Sequence, residues 1–324
     1  MTEFPIAEAR GNNILISSAA AKIPLVRAVK NAMADCGITG ETIAGDLDPT
    51  VPSKYFSDKF LQLPRLSRGV IEDLINALTA LEVGYILPTR DGELKFWAEH
   101  KAFFGSHGIS VLIGSQASVN LSLDKLKFER ALRLKGLPAI ETYTEAENVN
   151  EGALVVKERL GAGSNGQAIN VSISDAKLAA KLLDNPIFQP YIQGTEYSVD
   201  VWRSNDGRTC LASPRSRDLV KNGESVITTT LKDARLERLA IETAVALGIT
   251  GICVVQIIRD SKGADHLLEC NARFGGASTA SIAAGLPLLE LLLRDNLNFA
   301  GYSPVGDFKI RELTQVRGSA DYYF

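Results

Sequence analysis

A chain of 324 residues has length for two or three units, and 45% hydrophobic with 23% charged residues are ordinary globular values. The formal net charge of −3 excludes an overall basic field for nucleic acid, and no apolar run reaches the roughly 18 residues of a membrane span. Cys36, Cys210, Cys253 and Cys270 are scattered without Cys-x-x-Cys spacing, and the start Met-Thr-Glu-Phe-Pro lacks a signal-peptide pattern. Structural zinc and a disulfide framework are therefore disfavoured, and a cytoplasmic location is expected.

Residues 13–17 (Asn-Ile-Leu-Ile-Ser) predict a buried strand, followed by a small-residue turn and a helix with Leu25, Val26, Val29 and Met33 on one face. Strand, turn and helix in this order open a Rossmann-like half, but no Gly-x-Gly-x-x-Gly occupies the turn, which disfavours a dinucleotide site. The pattern then predicts a helix over 68–82, a strand at Tyr85–Pro88, a loop from Thr89 to Glu93, a further helix and a strand at 110–114. A helix opens at Asp124-Lys125 and stops at Gly136 and Pro138. Strands are expected at 153–158, 167–173, 195–203, 208–214 and 224–228, with Pro186 to Gly194 an extended connection between lobes. A helix over 232–248, a hairpin over 252–271 and a helix near 285–297 complete the reading. The class is α/β followed by mixed α+β, divided at 1–113, 114–190 and 191–324.

Three segments suggest chemistry. Lys157 ends a strand that runs into a glycine-rich loop holding Gly161, Gly163, Ser164 and Gly166. Glycines let backbone N–H groups approach phosphates, although a plain hairpin turn has the same composition. The backbone around Gln189, Tyr191 and Ile192 suits an adenine edge, and Glu196 a ribose hydroxyl or plain solvent. Arg215 and Arg217 alternate, so they share a face whose repulsion an anion would relieve.

The run Leu267–Gly276 is the most informative. Strand alternation places Glu269, Asn271 and Arg273 on one side and Cys270 and Ala272 on the other. If the preceding hairpin turns between Lys262 and Gly263, Gln256 lies opposite Glu269. Gln256 is the only polar residue in Ile252–Ile258 and needs partners if buried. Oxygens from Gln256, Glu269 and Asn271 fit a hard cation, and Arg273 adds a positive charge for phosphate. A solvated edge with a surface ion pair is the bland alternative.

In this order, Asp124-Lys125, Lys157 with its glycine loop, the linker with Glu196, Gln256 and Glu269-x-Asn271-x-Arg273 resemble the ATP-grasp superfamily over nearly the whole chain. Within it, the chain resembles single-copy proteins akin to half of the carbamoyl-phosphate synthase large subunit and to the ligase of the pyrrolysine pathway. The resemblance implies a Rossmann-like pre-ATP-grasp domain followed by a two-lobed ATP-grasp fold. It implies that Lys125, Lys157 and Gly161 to Gly166, with Ser164 among them, contact ATP. Gln189, Tyr191 and Ile192 would line the adenine pocket and Glu196 would hold the ribose. Gln256, Glu269 and Asn271 would hold Mg²⁺, for which Mn²⁺ can substitute. Arg273, Arg215 and Arg217 would stabilise the transferred phosphoryl group. Glu158 departs from the proline that many relatives carry after the lysine.

The activity implied is ATP-dependent ligation, in which a small-molecule carboxylate becomes an acyl phosphate and a nucleophile such as an amine displaces phosphate. Two alternatives stand beside it: carbamoyl-phosphate-type phosphorylation of bicarbonate or carbamate, and a non-catalytic ATP-binding regulatory module. The expected partners are the carboxylate and the nucleophile, with a homodimer compatible and neither nucleic acid nor membrane involved. Asp91 and Glu93 are candidates to line the second-substrate site and equally ordinary loop carboxylates.

Overall fold

The computed structural model describes residues 11–150, 152–161, 166–297 and 308–324. The first unit alternates β1 (Asn13–Ser17), α1 (Ile23–Asp35), β2 (Thr42–Asp46), β3 (Lys59–Gln62), α2 (Ile71–Ala80), β4 (Val83–Pro88), α3 (Asp91–Ser106) and β5 (Ser110–Val111). Its strands run parallel in the order β3-β2-β1-β4-β5. β1 is buried along its whole length, as a strand covered by helices on both faces must be. The direction of strand addition reverses between β1 and β4, which opens a crevice at their carboxyl ends.

Helices α4 (Gln116–Leu123) and α5 (Lys125–Arg133) follow. Then β6 (Leu154–Glu158), β7 (Ala168–Val171), α6 (Ile173–Ala180) and β8 (Pro186–Pro190) form a small antiparallel sheet, ordered β7-β6-β8 and backed by α6. The remainder is β9 (Gly194–Arg203), β10 (Cys210–Lys221), β11 (Glu224–Thr230), α7 (Ala234–Ala246), β12 (Gly251–Asp260), β13 (Asp265–Asn271), α8 (Thr279–Ala284), α9 (Leu288–Asn296) and β14 (Thr314–Val316). Its sheet runs β13-β12-β9-β10-β11-β14.

One face of this large sheet is apolar. Val199, Val201, Val255, Ile257 and Cys270 pack there on Leu236 and Ala240 of α7 and on Phe128 and Leu132 of α5. The other face carries the polar residues described below. The first unit is joined to the large sheet by a true core: Val26, Val29 and Met33 of α1 cluster with Leu288, Leu289 and Leu292 of α9 and with Trp202. Each fully buried leucine or isoleucine contributes roughly 1.5–3 kcal/mol, so this seam holds the crevice of the first sheet against the polar face of the second.

Several predicted elements change. Residues 68–82 form a 3₁₀ turn at Arg68–Val70 and then α2, which ends before Glu82 at φ +50°. The loop expected at Thr89–Glu93 is cut short because α3 starts at Asp91, with Asp91 and Glu93 in its first turn where acidic groups meet the helix dipole favourably. The strand expected at 110–114 ends at Val111. Pro186–Pro190 is a strand, not a linker: its prolines sit at the two ends, where β8 loses little of its ladder with β6. β10 continues to Lys221, so Arg215 and Arg217 lie inside a paired strand. Helices α4, α6 and α8 were not expected; all three are short, and α6 ends the strand expected at 167–173 early, at Val171.

Asp124 caps α5, accepting from the N–H groups of Leu126 (3.2 Å) and Lys127 (3.1 Å). It also binds both Nε (2.8 Å) and Nη2 (2.7 Å) of Arg159 at the end of β6. Asp124→Ala is expected to destabilise by about 1–2 kcal/mol through the lost cap alone, read as a shift in the denaturant midpoint.

Candidate functional site

The polar face is built by register. Glu269 pairs with Gln256, Gln256 with Ser198, and Ser198 with Arg215, a row across four strands. Asn271 lies one side-chain step along β13, opposite Val254, whose own partner is Asp200. Asn271 Nδ2 donates to Glu269 Oε1 at 3.2 Å. The Gln256 side chain makes no hydrogen bond among the described residues and lines a cavity of about 90 Å³ with Ser198, Arg215, Arg217, Asn271 and Arg273. Gln256 therefore lies opposite Glu269 as expected, but across a bulge: nearer the turn Ile257 pairs with Leu267 and Ile258 with His266, so the turn centres on Lys262 rather than between Lys262 and Gly263. Cys270 and Ala272 are buried on the opposite side, in two different cores.

Lys157 and Lys125 reach this face from the small-sheet side. Both side chains are buried. Burial pushes the Lys157 ammonium down to about 8, against the upward pull of Glu269, while Lys125 pushes it further down. Burial drives the Glu269 carboxyl upward, yet Lys157, Lys125, the Asn271 hydrogen bond and Arg217 together hold it below the usual carboxylate range. A charged carboxylate thus sits among cations, beside two amide side chains. Lys125 Nζ donates to the Gly161 carbonyl at 2.7 Å, and Asp124 bridges to Leu160, so the start of α5 holds Leu160 and Gly161. Gly163 and Ser164 lie outside the described residues. Gly166 has φ +70°, and a Cβ there would lie 3.0 Å from Leu183, so a side chain at this position is strained.

Glu158 has a local task. Its carboxylate accepts from the N–H groups of Asp184 (2.5 Å) and Asn185 (3.1 Å), fixing the turn before β8. Gln189 is buried with Nε2 donating to Thr142 Oγ1 at 2.8 Å. Tyr191 N–H donates to the Ala153 carbonyl at 2.8 Å, and Tyr191 and Ile192 are half-buried just past β8. Glu196 is exposed, with Oε2 lying 3.3 Å from Arg217 Nε.

The three arginines differ. Arg215 is buried and donates from Nε to Asp200 Oδ2 at 2.9 Å. Arg217 donates from Nη2 to the Gly223 carbonyl at 2.9 Å, while its buried Nε makes no hydrogen bond. Burial lowers the Arg217 pKa, with Arg215 adding to the effect and Glu196 opposing it. Such a guanidinium is under-compensated and suited to an anion. Arg273 stands just past β13, donating from Nε to Asp91 Oδ1 at 2.9 Å and from Nη2 to Asp91 Oδ2. Asp91 is thereby committed to Arg273, and Glu93 accepts from Ser17 Oγ (2.6 Å) and Ser18 Oγ.

Four features escaped the sequence reading. Asp200 is fully buried and accepts from Arg215, Ser278 and Ser281. The alternation Glu196-x-Ser198-x-Asp200 in an otherwise apolar strand was its signal. Arg159 and its Asp124 partner are 35 residues apart, and Asp91 and Arg273 are 182 apart, with no local signal for either pair. At Gly275 a Cβ would lie 2.6 Å from Ser278 Oγ and 2.9 Å from Val254, so any larger residue there would displace those side chains beside the site.

Residues 183–316 match the family described as ATP-grasp in the biosynthetic pathway with Ter operon, and residues 14–112 match the PylC-like N-terminal domain. No curated protein sequence matches the chain. Among solved structures, biotin carboxylase from Campylobacter jejuni superposes with a TM-score of 0.73 at 19% identity, over 92% of this chain and 73% of that one. L-amino acid ligase from Bacillus licheniformis gives 0.67 at 15%, over 90% and 75%. N5-carboxyaminoimidazole ribonucleotide synthetase from Thermotoga maritima gives 0.65 at 14%, over 88% and 76%. By these matches the chain has an ATP-grasp fold, in which residues 14–112 match a PylC-like N-terminal domain and residues 183–316 an ATP-grasp family.

Proposed function

We propose that this chain is an ATP- and Mg²⁺-dependent ligase that activates a small-molecule carboxylate as an acyl phosphate for attack by an amine or similar nucleophile. The observation that carries it is the row Glu269–Gln256–Ser198–Arg215, with Asn271 beside it and the Gln256 side chain without a hydrogen-bond partner among the described residues. One carboxylate and two amide oxygens suit a hard cation, and they fit Mg²⁺ better than zinc, which prefers nitrogen and sulfur. Among the described residues no cluster of three His, Cys, Asp or Glu competes for that role. When bound, Mg²⁺ neutralises charge on the transferring phosphoryl group.

The chain's own groups supply the rest. Lys157, Lys125 and the glycine loop hold the phosphates, the backbone from Gln189 to Ile192 faces the adenine, and Glu196 takes the ribose. Arg217 and Arg273 face the transferring group, with Arg215 behind them on Asp200. Asp91 keeps Arg273 extended toward the cavity, since a bidentate pair fixes the guanidinium plane. Positioning and charge stabilisation are what phosphoryl transfer asks for, and no side-chain nucleophile is needed. We further propose units at 1–113, 114–190 and 191–324 and a cytoplasmic location, in keeping with four free cysteines. Among the described residues no helix is long and apolar enough to cross a membrane.

A first test is phosphate release from Mg²⁺-ATP across a panel of carboxylates with and without amines. Release that depends on a carboxylate is expected; binding of ATP without release for any carboxylate favours a regulatory module. A second test uses Lys157. Its pKa of about 8 in the free protein rises when phosphates approach, so binding takes up a proton above that pH. Affinity for a non-hydrolysable ATP analogue is expected to be level below about pH 8 and to fall up to about tenfold per unit above it. Calorimetry checks this, and Lys157→Arg, which stays charged, is expected to remove the inflection.

A further inference from the structure

Beside the small cavity lies a much larger one, about 1530 Å³, between the first unit and the large sheet. Glu224, Gly275, Gly276 and Arg317 line both, so the two spaces share a wall. Residues 317–324 cross the larger space and are held at both ends. At one end β14 pairs with β11, and Arg317 donates to Glu224 at 3.0 Å. At the other end the rings of Tyr322 and Phe324 lie 4.8 and 5.3 Å from that of Phe56, and Phe324 lies 5.4 Å from Tyr55. The Arg27 guanidinium stacks between Phe56 (5.0 Å) and Tyr322 (5.3 Å). Between these anchors Gly318 to Asp321 are exposed, making a thin strap over the space.

Among the described residues the lining is mainly apolar, with Ile23, Leu25, Ala28, Phe56 and Ile282 along its walls. Its charged lining residues are Lys22, Arg27, Glu224, Arg317 and Asp321, of which Glu224 and Arg317 belong to the shared wall. Lys22 Nζ donates to the Ser18 carbonyl (2.6 Å) and Thr89 Oγ1 (3.0 Å), and among the described residues no carboxylate forms an ion pair with it. Burial lowers the Lys22 pKa to about 8, and Arg273 adds to the lowering while Asp46, Glu93 and Glu224 oppose it, so Lys22 lies within electrostatic reach of Arg273. The cavity exceeds the roughly 300–1,000 Å³ of an ordinary small-molecule pocket. Acetate or bicarbonate would leave its apolar walls without contacts, and such contacts are the source of affinity in an apolar site.

We propose that this cavity is the acceptor site, that it takes a carboxylate carrying a bulky apolar or aromatic body, and that residues 317–324 close it. The carboxylate lies at the shared wall toward Lys22 and Arg317, and the body fills the space under the strap. This rests on the ligase reading and names its substrate class.

The test measures binding of 3-phenylpropionate and of acetate by calorimetry to the full chain saturated with Mg²⁺ and a non-hydrolysable ATP analogue. Two variants are compared: Lys22→Met and a chain ending at Arg317. The full chain is expected to bind 3-phenylpropionate at least about tenfold more tightly than acetate. Each variant is expected to lose at least about fivefold of that affinity. Removal of 318–324 is expected to leave analogue affinity within about twofold, which shows that the chain still folds. No binding of 3-phenylpropionate, no preference over acetate, or wild-type affinity in either variant overturns the proposal. Failure of the analogue itself to bind overturns the ligase reading instead, so the two are separable.

Discussion

Glu269→Gln is expected to lower Mg²⁺-ATP turnover by at least about 10²–10³-fold while leaving the protein folded. That size is typical for losing one preorganised group that meets charge in the transition state. Glu269 is the only carboxylate in the row, and its charge is held by Lys157 and Lys125. The amide of glutamine fills the same volume and still accepts from Asn271, so packing on β13 survives. Removing a buried negative charge also removes the upward pull on Lys157, which then shifts further toward its neutral form. Turnover by coupled ADP detection and a thermal unfolding curve check both halves. Near wild-type turnover would remove the metal assignment.

The largest effect on stability is expected at Asp200. It is fully buried and accepts from Arg215 Nε at 2.9 Å, from Ser281 Oγ at 2.6 Å and from Ser278 Oγ. Asp200→Ala leaves the Arg215 guanidinium buried and without its carboxylate, a change that typically costs about 3–5 kcal/mol. It also frees Ser278, which otherwise fixes Gly275 N–H at 2.9 Å and so the backbone beside the site. Loss of the ion pair alone is not the whole cost, because α8 is docked through the two serines. Urea denaturation is expected to show the midpoint shift. The double change Asp200→Ala with Arg215→Met is expected to recover part of it, since no uncompensated charge remains.

Legibility followed sequence distance. The hairpin from β12 to β13 is local and was legible, but Gln256 meets Glu269 by way of a bulge at Leu268: nearer the turn the pairs centre on Lys262, half a residue from the expected centre, and the bulge restores the expected pair. β1 and α1 were legible because periodicity is read within a dozen residues. What failed was of two kinds. Pro186–Pro190 reads as a connection because proline is poor in strands, but here it flanks the paired segment. Asp91 and Glu93 read as loop residues because Gly92 lies between them, whereas they begin α3. The second kind is long range. Nothing near Asp91 announces Arg273, and nothing near Asp124 announces Arg159. The segment 317–324 carried no chemical motif, and its place over the large cavity comes from the fold alone.

The central claim is that a carboxylate is phosphorylated at the Glu269–Gln256–Asn271 face. The most direct measurement is trapping with hydroxylamine, which converts an acyl phosphate to a hydroxamate. With Mg²⁺-ATP and a panel of apolar carboxylates, hydroxamate is expected to form in step with ADP, and Glu269→Gln is expected to abolish both. ADP formed without hydroxamate for every carboxylate, or hydroxamate formed equally by Glu269→Gln, would contradict the account.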